Sequence, residues 1–286
     1  MIFTDEDAAR LSPLFKGRIG RLLFKAGAKL TAVDKVNLLH KRVEDSGAQP
    51  GPDFAHGILE DVGIDFRIGH PERLSELPEG PFVVIANHVY GHLDGICLVD
   101  IIGHARPGTK VMVNEFINQI RGMAPSFICV NPTLREKKGA TSTSINGVKS
   151  ALQQLHSGLP LCIFPSGAVA DLQPREHWTI NEREWQDAAV RLIRKARVPV
   201  VPVRFFDYSS RFYYILGLID YRVRLLRLCH EVFNKRGTCP RMGIGPIVSV
   251  AEQEAVPDSE FKDFLRQQVY NMPLPDHFVK RSELWK

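Results

Sequence analysis

Two loops concentrate the residues whose types and spacing suit chemistry. The first reads Asn87-His88-Val89-Tyr90-Gly91-His92-Leu93-Asp94-Gly95. A histidine and an aspartate six positions apart in one loop can fold back on each other. A carboxylate that accepts a hydrogen bond from one ring nitrogen fixes the tautomer and raises the basicity of the other. His88 and Asp94 then make a general-base dyad able to deprotonate a hydroxyl or an amine. The plainer reading is two polar loop residues bonded to their own backbone. The second loop, Phe164-Pro165-Ser166-Gly167-Ala168-Val169-Ala170, leads from an apolar run into a glycine turn. Gly167 permits backbone geometry in which amide N–H groups point at a ligand oxygen, although an ordinary turn has the same composition.

The elements that must position these loops are legible from the apolar pattern. Short β-branched runs at Pro81 to Ala86, Lys110 to Val113, Ser126 to Val130, Pro160 to Phe164 and Pro199 to Phe205 are bounded by turn residues. Ser144 to Leu155 and Glu182 to Ala196 carry helical periodicity between them, Met242 to Val250 reads as a late strand, and Asp258 to Tyr270 as a closing helix. The expected fold is α/β, a mixed and largely buried sheet flanked by helices. Both chemical loops fall at strand ends, where α/β folds place their sites. An N-terminal helical preface precedes this domain. Leu11, Leu14, Phe15, Ile19, Leu22, Leu23, Ala26, Leu30 and Val33 recur at helical spacing, and Val36 to Val43 form a second amphipathic stretch. The division expected is an amphipathic helical segment at 1–60 and an α/β domain at 61–286.

Composition sets the class. Of 286 residues, 44% are hydrophobic and 24% charged, which excludes a disordered or collagen-like chain. No apolar run approaches the ~18 to 20 residues that span a bilayer. The start, MIFTDEDAAR, is acidic before it is apolar and does not read as a secretory leader. Five scattered cysteines without paired spacing fit free thiols in a reducing compartment. The net charge of +5 is unevenly placed. From Arg10 to Arg42 nine Lys/Arg face only Asp34, and from Arg204 to Arg241 eight face Asp207, Asp220 and Glu231. Two basic segments on a balanced body suit a polyanion, either nucleic acid or an anionic membrane. Without a reading motif or interleaved stacking aromatics, nucleic acid is disfavoured.

Taken together, the ordered motifs resemble the glycerolipid acyltransferase family, which includes lysophosphatidic acid acyltransferases. That family carries Asn-His followed by Asp, then a strand ending Phe-Pro-Glu-Gly, then Val-Pro-Val-Val-Pro-Val, which Val198-Pro199-Val200-Val201-Pro202-Val203 matches closely. The five residues between His88 and Asp94, closed by Gly95, resemble the hemolysin-like branch, some members of which make ornithine or related aminoacyl lipids. Ser210-Arg211-Phe212-Tyr213 and Asn234-Lys235-Arg236-Gly237 are further matches, and the resemblance covers about residues 60 to 250. Two departures stand out. Ser166 replaces the family's glutamate, and Ala168 stands where the branch often has one. The phosphate-meeting arginine after the third strand is displaced, because Pro132 follows Asn131. Arg135, Lys137 and Lys138 just downstream are the acceptor-binding candidates, against the reading of a solvated charged loop.

The resemblance implies direct acyl transfer from a thioester, acyl-CoA or acyl carrier protein, to a lysophospholipid or lyso-aminolipid, with no cofactor. His88 would take the acceptor proton, Asp94 would orient and charge the imidazole, and amides near Gly167, helped by Ser166, would hold the oxyanion. It also implies a cytoplasmic protein peripheral on the inner face of the cell membrane, with the membrane lipid surface as partner. Lys16 to Lys29, one-sidedly basic, is expected to meet that surface. The apolar stripe Phe212, Ile215, Leu216, Ile219, Val223, Leu226 and Phe233 is expected to pack on the core. Three other readings compete: a zinc hydrolase using His88, His92 and Asp94, a serine hydrolase using Ser166, and a non-catalytic binder of lipid or acyl carrier protein. The second lacks the glycine two residues before the serine, since Phe164 stands there.

Overall fold

The apolar run after Pro81 forms strand β2 (Val83–Ala86), all four of whose residues are buried. Its side chains alternate between two cores, Val84 and Ala86 in one, Val83 and Ile85 in the other. A strand buried on both faces belongs near the middle of a layered sheet. The computed structural model describes residues 32–114, 120–130, 142–219 and 221–285. The expected contact segment Lys16 to Lys29 and the candidates Arg135, Lys137 and Lys138 lie outside these residues.

The sheet has eight strands in the order β10 (Phe278–Lys280), β1 (Arg67–Gly69), β9 (Arg241–Ile244), β8 (Val200–Phe205), β2, β5 (Leu161–Ile163), β3 (Lys110–Asn114) and β4 (Phe127–Val130). Neighbours run parallel except β1 with β10 and β8 with β9. One core joins Val84 to α1 (Val33–Asp45), α2 (Pro52–Val62) and α3 (His92–Ala105) through Leu39, Phe54, Ile58, Leu98 and Ile102. The other joins Val83 and Ile85 to α4 (Ser142–His156), α5 (Asp187–Ala196) and α9 (Asp258–Tyr270) through Ala151, Ile193, Phe261 and Leu265. A short hairpin, β6 (Asp171–Gln173) with β7 (Thr179–Asn181), stands apart from the sheet. The helices α6 (Arg211–Ile219) and α7 (Tyr221–Asn234) follow β8, and α8 (Val250–Glu254) follows β9. The expected mixed, largely buried sheet flanked by helices is the observed one, and α1 and α2 form the described part of the helical preface.

Three expected elements are corrected. The late strand Met242 to Val250 ends at Ile244. The Gly245 amide still donates to the Pro202 carbonyl of β8, but Pro202 has no N–H to return the bond and Pro246 has none to extend it, so only an isolated bridge joins Val248 to Val200. The helix expected from Glu182 begins at Asp187, because the Gln186 amide donates to the Pro165 carbonyl and Glu182 turns its side chain inward. The stripe from Phe212 to Phe233 is divided between α6 and α7, and its first part faces outward. Phe212, Ile215 and Ile219 are 53%, 46% and 75% exposed, while Tyr213 and Tyr214 do the packing.

The far end of α3 carries a polar cluster. Asp100 is buried and accepts from Arg281, His56 and His104, and His104 bridges to Asp53 through its other ring nitrogen at 3.0 Å. With acceptors at both nitrogens, His104 is pushed up to about 9, chiefly by its bond to Asp100. A histidine raised in the folded state contributes stability fully below its unfolded value of about 6.5 and loses it as pH rises through the folded one. Denaturant unfolding is therefore expected to show stability falling between about pH 6.5 and 9.5. His104→Gln is expected to flatten that slope; an unchanged slope would remove His104 as its source.

Candidate active site

The loop between β2 and α3 folds back so that His88 meets Asp94. Asn87 anchors its start by donating to the Phe205 carbonyl and accepting the Phe205 amide, which ties the loop to β8. Gly91 then turns the chain into α3 with φ +84°, a conformation that favours glycine. A Cβ there would also lie 2.5 Å from Leu228 Cδ2 of α7. Gly91→Ala is expected to cost about 1–3 kcal/mol in a denaturant titration; an unshifted midpoint would show that the turn is not under this constraint.

Asp94 sits in the first turn of α3, where helix N–H groups favour a negative charge. Its Oδ2 accepts from the backbone amides of Tyr90 and Gly91 at 2.9 and 3.0 Å and from His88 Nδ1 at 2.8 Å. Because every other neighbour of Oδ2 is a donor, His88 Nδ1 carries the proton and Nε2 keeps its lone pair. Asp94 is fully buried, and burial raises its carboxyl above the ordinary value against the lowering effect of these three bonds. A carboxylate bonded to Nδ1–H holds the ring in this tautomer. Phe164 stacks on the imidazole with centroids 4.2 Å apart, fixing its plane.

The dyad opens on a cleft of about 140 Å³. His88, Gly91 and His92 line it beside Phe164, Pro165 and Gly167, and Met112, Ile120, Met123, Phe127, Val130 and Ile163 make the rest largely apolar. The Gly167 turn has φ +66°, but its own amide closes onto the Phe164 carbonyl at 2.9 Å. Ser166 is buried beneath the cleft, its hydroxyl within 2.9 Å of both the Ala168 carbonyl and Glu182 Oε1. The structure thus brings His88 and Gly167 to one cleft with Asp94 buried against His88, and engages the Ser166 side chain elsewhere.

Glu182 is the residue that motif reading passed over. Its buried carboxylate takes four donors: the His88 amide at 2.6 Å and Ser166 Oγ on Oε1, Trp185 Nε1 at 3.2 Å and Tyr270 hydroxyl at 2.5 Å on Oε2. It therefore joins the two chemical loops to each other and to α9. These contacts span up to 94 residues, so no local spacing signals them. The Glu182 carboxylate lies against Ser166, one of the two positions where the resemblance leads one to expect a glutamate.

The competing hydrolytic arrangements do not form. Among the described residues no group of three His, Cys, Asp or Glu side chains is placed to hold a metal ion. His92 lines the cleft without joining the dyad, and burial with the neighbouring His88 lowers it to about 4. Ser166 bonds Glu182, and His88 bonds Asp94, so these two residues do not form a serine-histidine pair.

A strand-end His–Asp pair beside an apolar cleft in a mostly parallel α/β sheet is an arrangement able to serve general-base group transfer. The chain belongs to the acyltransferase family, whose model matches residues 34–276, and it is an acyltransferase. Two relatives carry the description lyso-glycine lipid O-acyltransferase. That of Bacteroides thetaiotaomicron is 24% identical over 85% of this chain and 87% of its own length. That of Phocaeicola vulgatus is 26% identical over 84% and 83%. No helix of the described residues is long and apolar enough to cross a membrane.

Proposed function

We propose that the protein transfers a fatty acyl group from an acyl thioester to the hydroxyl of a lyso-aminolipid at a membrane surface. The observation that carries this reading is the His88–Asp94 dyad opening on an apolar cleft. His88 Nε2 takes the hydroxyl proton as the oxygen attacks the thioester carbonyl, and Asp94 stabilises the imidazolium that forms. Backbone amides beside Gly167 stabilise the tetrahedral oxyanion, since the Ser166 hydroxyl is engaged with Glu182. Collapse of the intermediate expels the thiolate, which takes the proton from His88, and the acyl ester leaves. The apolar wall from Met112 to Ile163 suits the acyl chain. Acyl-CoA and acyl carrier protein are the donors that fit this chemistry.

The choice of acceptor is supported by the relatives described as lyso-glycine lipid O-acyltransferases. An amino acid headgroup ends in a carboxylate, for which Arg135, Lys137 and Lys138 are the proposed partners. Supplying one acyl thioester against lyso-glycine lipid, lyso-ornithine lipid and lysophosphatidic acid tests this. Acylation of the aminolipids well above lysophosphatidic acid is expected; the reverse order would move the acceptor to the lysophospholipids.

A further inference from the structure

The helix that buttresses the dyad also presents an apolar face to solvent. Tyr214 of α6 donates its hydroxyl to the Val89 carbonyl at 2.7 Å, within the His88 loop. Tyr213 and Tyr214 are buried, and with Leu228 of α7 and Val169 they form a small core of their own. The opposite side of α6 carries Phe212, Ile215, Leu218 and Ile219, each between 44% and 75% exposed. Four large apolar side chains outward on a nine-residue helix exceed the scattered exposure of an ordinary surface.

The charge around this face suits an anionic lipid layer. Helix α6 contains no acidic residue and begins with the exposed Arg211. The Arg227 guanidinium lies over the Phe212 ring at 5.2 Å. From Tyr208 to Arg236 six Lys/Arg stand against Asp220 and Glu231; Arg224 is buried and paired with Asp171, and Glu231 is buried, accepting from Ser210 and Asn234. Apolar side chains on a helix rimmed by arginine are the composition of an interfacial anchor. The β6–β7 hairpin, which packs on the same small core through Leu172 and Ile180, adds Trp178 at 64% exposure. Tryptophan with its indole free is suited to the headgroup level.

We infer that the outward face of α6 seats the protein on an anionic bilayer, so that docking and the position of the dyad are set by one helix. The inference rests on the proposed lipid acceptor for its purpose but not for its test. Full-length protein and the triple variant Phe212→Ser/Ile215→Ser/Ile219→Ser are floated with vesicles of phosphatidylcholine alone and with added phosphatidylglycerol. All three positions are exposed, so the variant is expected to fold with an unchanged far-UV spectrum. Wild-type protein is expected to float with the anionic vesicles, less so as salt rises. The variant is expected to bind them at least ten-fold more weakly. Vesicles should shift wild-type tryptophan emission to the blue, and Trp178→Phe should remove most of that shift. Acylation of a micelle-dispersed acceptor is expected to be equal in wild type and triple variant. Vesicle binding equal to wild type in the triple variant would overturn the inference, leaving the catalytic reading intact. If the substitutions instead turn a dimer into a monomer with vesicle binding unchanged, the face belongs to a second copy and the inference falls. Vesicle binding through α6 without acyl transfer from any donor would keep the surface and remove the catalytic reading.

Discussion

Replacing His88 by alanine is expected to lower kcat/KM for acyl transfer by about 10²- to 10⁴-fold, the range that general-base catalysis supplies. The side chain keeps 17% of its surface exposed and, among the described residues, bonds only Asp94 of the polar groups, so its removal leaves the loop's backbone anchors in place. Asn87 still ties β2 to β8, and the His88 amide still donates to Glu182. Loss of rate with an unchanged unfolding midpoint is therefore the expected signature. Asp94→Asn is expected to fall within the same range for a different reason. The amide oxygen can still accept from Tyr90 and Gly91, but a neutral partner no longer stabilises the imidazolium. Wild-type rates in the His88→Ala protein would mean that another group takes the acceptor proton.

The second large effect is expected at Glu182, and it is an effect on folding as much as on rate. Glu182→Leu leaves the His88 amide, Trp185 and Tyr270 facing an apolar side chain, while the Ser166 hydroxyl keeps the Ala168 carbonyl. Each orphaned buried donor costs about 1–3 kcal/mol. The three share one partner, so their costs do not add, and a total on the order of 3–5 kcal/mol is expected, as for breaking a buried charge network. Glu182→Gln restores an acceptor for two of the donors and is expected to recover part of the loss. Denaturant unfolding of both variants checks this. A leucine variant as stable as wild type would show that the carboxylate does not hold the two loops together.

These two residues mark how far sequence reasoning reached. The five strands read from β-branched runs were legible because each is short, apolar and bounded by turn residues, a local signal, and β2, β5 and β8 are buried on both faces as well. His88 and Asp94 were legible because the loop that joins them is short enough to close on itself. Glu182 was not, since its partners lie 94, 16 and 88 residues away, and its nearest indication, the buried Trp185 three positions on, reads equally well as the start of a helix. The short strands β1 and β10 escaped for a similar reason. Three residues each, they are fixed by pairing with strands distant in the chain. The outward stripe of α6 was misassigned because an amphipathic pattern identifies an apolar face without saying what meets it. Here adjacent tyrosines, whose hydroxyls make them poor marks of a core, took the inward place.

The central claim is transfer of an acyl group to a hydroxyl by His88 acting through a bound acceptor, with no acyl-enzyme on the way. The most direct measurement follows thiol release from acyl-CoA and from acyl carrier protein, with and without lyso-glycine lipid, and weighs the lipid product by mass spectrometry. Thiol release is expected only when acceptor is present, matched mole for mole by acylated lipid and abolished to near background by His88→Ala. Thiol release without acceptor, or acceptor-dependent release that survives in His88→Ala, would contradict the account.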